Sequence, residues 1–258
     1  MVFPKFKGKH KHDAMFSPKD YIAYRRRKGD FNPKKIPEGV IICYDPNIFD
    51  YLMKSNMLVK YDGMYAGGIY EIKGTGNKVG IVYGFGTGSP IAVIVLEELI
   101  AIGVKRFVNI GSAGTLQKRL KIGDIVVCDK AIRDEGTSHH YLKSSKYSFA
   151  SKKLTSKLEN QLKKEGLKYV KGTSWTIDAP YRETISEAKQ YQKEGVLTVE
   201  MEASALFAVA SVRKVEIASM FTVSDSLADL EWKPEFHSND FKKSVVKIYE
   251  VAKNALLS

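Results

Sequence analysis

Two carboxylates stand one residue apart in residues 199–205, where the sequence reads VEMEASA. Glu200 and Glu202 fall where an apolar, strand-like stretch gives way to a helix-like one. Glutamates at such a junction most often complement the dipole of the helix that follows. Two acceptors around Met201, with small residues behind them, are also suited to binding the adjacent hydroxyl groups of a sugar.

A third acid, Asp225, ends another apolar stretch in residues 222–226 (TVSDS). An aspartate in that position commonly caps the segment that follows it. It could instead serve as a general acid, because partial burial would raise the pKa of its carboxyl group. The residues alone leave both roles open.

Two glycine-rich turns, residues 84–90 (GFGTGSP) and 109–114 (NIGSAG), each follow an apolar stretch. Ligands of open α/β sheets bind beyond the carboxyl ends of the strands, where glycine lets the backbone approach closely. The amides of the first turn and the start of the next helix are suited to an anion. The spacing matches neither a Rossmann nor a P-loop fingerprint, so the turn is not diagnostic by itself.

Strand-like and helix-like segments alternate after Gly39 and would position these candidates. Strands are predicted at residues 40–44, 65–72, 79–84, 105–111, 124–128, 169–175, 196–201 and 217–223. Helices are predicted at residues 18–28, opened by Ser17 and Pro18, and at residues 47–54, 90–102, 152–166, 185–194, 203–212 and 240–257. This alternation predicts an α/β fold, a single domain with a mixed, largely parallel central sheet flanked by helices.

A basic lead at residues 1–38 precedes residues 39–258, which form the predicted catalytic domain. The formal net charge is +12, and residues 1–40 contribute +7 of it, from eleven Lys or Arg against four Asp or Glu. Such a lead could attract an anionic substrate, or it could be an arm that contacts another subunit. The remaining chain lacks the basic and aromatic pattern of a nucleic-acid platform, so we expect no nucleic-acid partner.

The cellular compartment is indicated by apolar runs and cysteines. No apolar run approaches the roughly 18 residues of a membrane span, and the amino-terminal residues do not resemble a signal peptide. Cys43 and Cys128 lie in strand-like stretches, which indicates two reduced, buried thiols. We therefore expect a cytoplasmic protein without membrane contact, and the sequence contains no cluster with metal-ligand spacing.

Taken in order, these segments resemble the nucleoside phosphorylase family, which includes hexameric purine nucleoside phosphorylases, uridine phosphorylases and methylthioadenosine nucleosidases. The likeness extends from about Val40 to the carboxyl-terminal helix. Residues 199–203 are its most specific part, followed by residues 111–114 taken together with residues 121–127 (KIGDIVV). The resemblance implies a pentosyl transferase of nucleotide salvage that acts as a homo-oligomer, hexameric or dimer-based.

Site roles follow from the resemblance at matching positions. Asp225 and Glu202 would be catalytic, the first protonating or hydrogen-bonding a departing purine and the second binding the ribose 2′- and 3′-hydroxyls. The implied ribose-binding residues are Glu200, Met201, Glu202, Thr87 and, from a neighbouring subunit, His12, with His10 as the alternative. The implied phosphate-binding residues are Gly86, Gly88, Asn109 and Ser112. The implied base-binding residues are Ser112, Ala113, Gly114, Trp175, Tyr181, Arg182 and His237. No cofactor or metal is implied, and phosphate is the co-substrate.

The chain departs from the family where phosphate is bound. Ile48, Asn109 and Lys60 or Tyr61 occupy positions where phosphorylases of this family carry arginines. Losing bidentate arginine contacts removes much of the electrostatic stabilisation of phosphate. The nucleosidase alternative, with water as nucleophile, is not matched cleanly either, because a carboxylate would be expected near Ile48. A non-catalytic nucleoside-binding protein is a third possibility, although simple binding would not require a placed general acid.

The base preference stays open on the sequence. Asp225 favours a purine, whose imidazole nitrogen accepts a proton on departure. Arg182 and residues 133–138 (RDEGTS) are most similar to uridine phosphorylases. The predicted activity is therefore cleavage of a purine nucleoside or uridine with phosphate, giving ribose 1-phosphate and free base.

Overall fold

The computed structural model describes residues 6, 8–31, 35–61 and 68–258. The strands of these residues are β1 (Gly39–Cys43), β2 (Leu58–Lys60), β3 (Gly68–Ile72), β4 (Val79–Tyr83), β5 (Arg106–Thr115), β6 (Ile125–Asp134), β7 (Tyr147–Phe149), β8 (Tyr169–Ile177), β9 (Thr198–Glu200), β10 (Glu216–Ser226) and β11 (Lys233–Pro234). The α-helices are α1 (Pro18–Arg27), α2 (Pro46–Lys54), α3 (Ser89–Ile102), α4 (Ser138–Tyr141), α5 (Lys152–Lys164), α6 (Ile185–Lys193), α7 (Ala203–Arg213) and α8 (Asn239–Leu257). Short 3-10 turns lie at Lys9–Lys11 and Pro180–Arg182.

These strands belong to one sheet, in which parallel pairing dominates the centre. The strands β4, β1, β5 and β10 are parallel neighbours, and β6, β8 and β9 form a second parallel set. Antiparallel pairing of β10 with β6, and of β5 with β9, joins the two sets. As a result β5, β10, β6, β8 and β9 close into a ring. The predicted α/β fold with a mixed, largely parallel sheet is confirmed.

Helices cover both faces of the sheet and bury its apolar side chains. On one face, α3 and α7 pack with strand residues such as Phe107 and Phe221. On the other face, α2, α5 and α8 pack against residues such as Ile41, Val108 and Met220. The predicted helix at 90–102 is α3, which has Pro90 in its first turn and ends at Gly103, whose φ of 116° suits a residue without Cβ.

The basic lead is packed onto this body rather than separate from it. Ser17 is the N-cap of α1 and forms a reciprocal capping box with Asp20, so the start of the predicted helix is confirmed. Ile22 and Phe31 are buried in the same core cluster as Leu96 and other residues of α3. The lead therefore contributes apolar surface to the main core.

Three strands are longer than the sequence indicates. The predictions ended at residues 111, 128 and 223, whereas β5, β6 and β10 continue to Thr115, Asp134 and Ser226. Residues 111–115 of β5 pair with β10 throughout, and Gly114 and Thr115 pair also with β9. Two-sided backbone pairing thus extends a glycine- and serine-rich stretch that resembles a turn.

Other differences concern short elements. The strands β2, β7 and β11 and the helix α4 were not predicted, because segments of two to four residues carry no readable periodicity. The predicted strand at 65–72 corresponds to β3, and its residues 65–67 lie outside the described residues. Cys43 and Cys128 are buried and free, as predicted. In the described parts of the chain, no helix is long and apolar enough to cross a membrane.

Candidate active site

A cavity of about 510 Å³ opens where β5, β9 and β10 end. Its walls come from residues within four stretches, 112–114, 180–188, 199–201 and 224–236. The acids among the lining residues are Glu183, Glu200, Asp225 and Glu231. No lysine, arginine or histidine of the described chain lines this cavity. It is therefore an acceptor-rich site at the end of the sheet where ligands of α/β folds bind.

An irregularity in the pairing of β10 sets the direction of the Asp225 side chain. Val223 pairs with Ala113 and Asp225 pairs with Gly114, so Ser224 is an extra residue that forms a β-bulge. A Cβ atom on Gly114 would lie 2.8 Å from Oδ2 of Asp225 and 2.6 Å from Leu227. Only glycine therefore permits this close approach of the carboxylate to β5.

The carboxylate of Asp225 is buried and held by two side chains. The Ser224 hydroxyl donates to Oδ1 at 2.6 Å, and the Trp232 indole N–H donates to Oδ2 at 3.0 Å. Burial raises the pKa of Asp225 above its ordinary value, while the two hydrogen bonds act against that shift. A carboxyl group with a raised pKa in a cavity is suited to donating a proton.

Glu200 is held entirely by protein donors. Its carboxylate accepts hydrogen bonds from the Thr176 hydroxyl at 2.5 Å and from the N–H groups of Glu202 and Ala203 at 2.8 and 2.7 Å. These amides begin α7, so the buried acid caps that helix. Glu200 therefore holds the turn before α7 in position, and its role in binding ribose, which the resemblance implies, stays a prediction.

Glu202 lies beside the cavity and is 7% exposed. Its Oε1 accepts a hydrogen bond from the Gly88 N–H at 2.5 Å, while the neighbouring Met201 lines the cavity. The Ser89 hydroxyl donates to the Met201 carbonyl at 2.7 Å, which ties the glycine-rich turn to this segment. Burial, followed by the charge of Glu200, raises the pKa of Glu202 to about 8.

The predicted phosphate-binding residues are not gathered around the cavity. Gly86 is exposed on the turn, as is Thr87, a predicted ribose-binding residue, and the Gly88 N–H already donates to Glu202. Asn109 is fully buried inside β5, where its Nδ2 donates to Ser219. The structure contradicts a direct phosphate contact by the Asn109 side chain, since that side chain lies in the core. Ser112 does line the cavity.

The predicted base-binding residues divide into two groups. Ser112, Ala113, Gly114 and the fully exposed Tyr181 line the cavity. Three others do not line it, namely Trp175, Arg182 and His237.

Trp175 is corrected to a core residue, because it is completely buried, packs on Tyr191 and donates its indole N–H to Asp134 at 2.9 Å. Arg182 and His237 are exposed at the surface. A strand residue such as Trp175 alternates between faces with its neighbours, and the sequence did not reveal which face it takes.

The sequence missed several lining residues, of which Glu183 and Trp232 are chemically the most informative. Both lie in irregular segments, one between a 3-10 turn and α6 and the other between β10 and β11. Position within a loop carries no periodic signal. The acidity of Glu183 next to the predicted Arg182 was the available indication.

His12 lies in a different cavity, of about 800 Å³, lined by the lead and by residues of α3, α4 and α7. Within one chain it does not reach the cavity that contains Asp225.

The motif at residues 133–138 is structural, since Arg133 is buried and donates to the Ser138 hydroxyl, the Lys143 carbonyl and the Ser145 hydroxyl at 2.7–2.8 Å. The Arg133 side chain therefore braces its own loop, and the similarity of this motif to uridine phosphorylases stays a prediction about base preference.

Comparison with known proteins adds to this geometry. Residues 38–257 match the family model described as the phosphorylase superfamily. The chain is 28% identical over 192 residues to uridine phosphorylase of Haemophilus influenzae, covering 69% of this chain and 76% of that protein. It is 35% identical over 201 residues to a DeoD-type purine nucleoside phosphorylase of Caldanaerobacter subterraneus, covering 74% and 84%. The crystal structure of uridine phosphorylase from Vibrio fischeri matches with a TM-score of 0.75 and 25% identity, covering 88% and 94% of the two chains.

Proposed function

The chain belongs to the phosphorylase superfamily, and we therefore propose that it is a nucleoside phosphorylase, a pentosyl transferase that uses phosphate to cleave the N-glycosidic bond of a purine nucleoside or uridine. The products are ribose 1-phosphate and the free base. Proteins to which the chain is similar include both uridine and purine nucleoside phosphorylases, which supports this class of reaction. One observation carries the proposal, namely that Asp225 lines the cavity with a buried carboxyl group of raised pKa.

In the proposed reaction, a phosphate oxygen attacks the anomeric carbon of the ribose. The bond from that carbon to the base nitrogen breaks, and its electron pair leaves with the base. Asp225 donates a proton or a hydrogen bond to the imidazole nitrogen of a leaving purine, which offsets the negative charge that develops there. Glu202 accepts hydrogen bonds from the ribose hydroxyls, and these strengthen as the sugar becomes oxocarbenium-like.

The test is a panel of purine and pyrimidine nucleosides incubated with and without phosphate. Phosphorolysis predicts ribose 1-phosphate and base release that requires phosphate. Release of base at the same rate in phosphate-free buffer would contradict phosphorolysis, and no base release from any nucleoside would contradict catalysis altogether.

Hydrolysis is a second candidate, favoured by the surroundings of the glycine-rich turn. Ile48 is fully buried in the core, the Asn109 amide is bonded to Ser219, and the Gly88 amide is bonded to Glu202. These positions therefore offer phosphate no cationic side chain. The same panel separates the candidates, because water as nucleophile yields free ribose.

We also propose that the enzyme is a cytoplasmic homo-oligomer of nucleotide salvage, a hexamer or a dimer-based assembly in which His12 binds the ribose 5′-hydroxyl in a neighbouring site. The location of His12 in a separate cavity of its own chain supports this arrangement. Light scattering gives the oligomeric state. Mixing His12→Ala subunits with Asp225→Asn subunits should restore part of the activity if His12 acts in a neighbour, and no recovery would contradict the exchange.

A further inference from the structure

We propose that Glu183 recognises the nucleobase and selects purines that carry an exocyclic amino group. The inference rests on the proposed function, because it assumes that the cavity binds the nucleobase of a nucleoside substrate. It concerns a residue that none of the reaction steps above uses. Glu183 lines the same cavity as Asp225.

Glu183 differs from Glu200 and Asp225, the two buried acids that line the same cavity, in its hydrogen-bond partners. Glu200 accepts hydrogen bonds from three protein donors, and Asp225 accepts them from Ser224 and Trp232. The Glu183 carboxylate has no hydrogen bond or ion pair with any of the residues that the structure describes. Its acceptor capacity is therefore available to a ligand.

The backbone of Glu183 is fixed on both sides. Its N–H donates to the Pro180 carbonyl at 3.3 Å, which closes the 3-10 turn. The next residue, Thr184, begins α6 with a capping box, in which the Thr184 hydroxyl and Glu187 bond reciprocally. The backbone of Glu183 is therefore in place before the ligand arrives, so only the side-chain torsions have to be ordered on binding.

The chemistry of the lining selects donors on the ligand. Above about pH 7 Glu183 is mostly ionised, and an ionised carboxylate only accepts hydrogen bonds, so the selection applies in that pH range; the described lining offers no cationic side chain. A base oxygen facing Glu183 would meet a second acceptor, whereas an amino group would supply the missing donor. Burial, followed by the charge of Asp225, raises the pKa of Glu183 to about 7, which indicates that the two acids share one environment. A donor on the ligand would relieve that cost of ionisation.

The experiment compares adenosine with purine riboside, which has the same ring without the amino group. We expect the wild type to prefer adenosine in kcat/KM by about 10- to 100-fold, the effect of one hydrogen bond to a charged group. Glu183→Met, which keeps the chain length but has no carboxylate, should lower kcat/KM for adenosine by that factor and leave purine riboside within about twofold. Glu183→Gln, which retains one acceptor oxygen, should fall between the two.

Glu216→Met is the matched control, since Glu216 lies at the opposite end of β10 and should alter neither substrate. Equal losses of both substrates in Glu183→Met would indicate a structural role and overturn the inference, as would equal use of both substrates by the wild type. If the wild type cleaved neither nucleoside, the proposed function would fail. Calorimetry with free adenine would then decide the inference, because equal adenine affinities of wild type and Glu183→Met would overturn it.

Discussion

At the Met201 end of the cavity, the carboxylates of Glu200 and Glu202 accept hydrogen bonds from the backbone at the start of α7 and from the glycine-rich turn. At the Trp232 end, Asp225 is held by side chains alone, and Glu183 has no partner among the described residues. The first arrangement joins two backbone segments that meet at the sugar side of the proposed site. The second leaves acid groups facing the cavity.

This difference in hydrogen-bond partners shows how one part of the site can be rigid while another part binds a ligand selectively. Backbone amides have fixed positions, so acids bound to them hold the turn and the helix in one geometry. Acids held by side chains, or by none, can exchange a proton or a hydrogen bond with a ligand without disturbing the fold. The comparison predicts that substitution of Glu200 affects mainly stability, that substitution of Glu202 affects stability and turnover, and that substitutions at the Trp232 end affect mainly turnover.

The largest effect is expected from Asp225→Asn. Asparagine preserves the shape of the side chain but removes the proton donor, so kcat for a purine nucleoside should fall by about 10²- to 10⁴-fold. The loss of stability in urea unfolding should be at the lower end of about 1–3 kcal/mol, because the new amide faces one of the two donors and the Ser224 hydroxyl can turn to accept from it. The matched control is Asp229→Asn, because Asp229 is at the surface between Lys118 and Lys233. Unchanged base release in Asp225→Asn would remove the general-acid assignment.

The next effect is a pH dependence of stability from Glu202. Its folded-state pKa, about 8, lies above the ordinary value of 4.5. Folding therefore favours the protonated form, and this contribution to stability is complete below about pH 4.5 and is lost as pH rises through about 8. Relative to Glu202→Gln, which does not titrate, the free energy of unfolding of the wild type should fall by about 1.4 kcal/mol per pH unit across that window.

Urea unfolding of both proteins at several pH values measures this difference. A gap between the two free energies that stays constant with pH would show that Glu202 is ionised in the folded protein throughout, contrary to expectation.

A smaller loss of stability is expected from Glu200→Gln. The amide places an NH₂ group among N–H and O–H donors, so at least one of them loses its acceptor, at a cost on the order of 1–3 kcal/mol. Chemical denaturation measures the loss, and Glu216→Gln is a control of the same chemistry at a partly exposed surface pair. If Glu200→Gln were as stable as the wild type, the proposed contrast between the Met201 end and the Trp232 end of the cavity would be wrong.

The smallest effect is expected from Trp232→Phe. The Trp232 side chain is 64% exposed, so its replacement costs little stability, but the indole donor to Asp225 is lost. That hydrogen bond lowers the pKa of Asp225, so its removal raises the pKa further. We expect kcat to change by about 2- to 10-fold and the alkaline limb of the pH–rate profile to shift to higher pH. Steady-state rates across pH measure both, and an unmoved limb would contradict the coupling.

The sequence was sufficient to predict the helices and strands that bury apolar surface. The predicted helix at 90–102 and the predicted strand at 40–44 match α3 and β1 closely, because their apolar patterns and flanking Pro and Gly residues are strong local signals. The lengths of β5 and β10 were not predictable, since they depend on pairing between segments more than 100 residues apart, such as Gly114 with Asp225.

The candidate site was predictable only in part, for a related reason. Asp225 and Met201 follow apolar strands, and the ends of strands at one edge of a sheet come together. Trp175 was misplaced because residue type does not reveal the face of a strand that is buried on both sides. Glu183 was missed because its orientation depends on the turn before it and the cap after it, which are set by single hydrogen bonds.

The burial of Ile22 and Phe31 against α3 has a practical consequence for work with this protein. The family match begins at residue 38, which suggests a natural point at which to shorten the chain. Removing the preceding residues would uncover apolar side chains of α3, the helix whose first turn carries Ser89. Truncated protein should therefore be prone to aggregation, and the chain from Ser17 onwards belongs in every expressed version intended for assay.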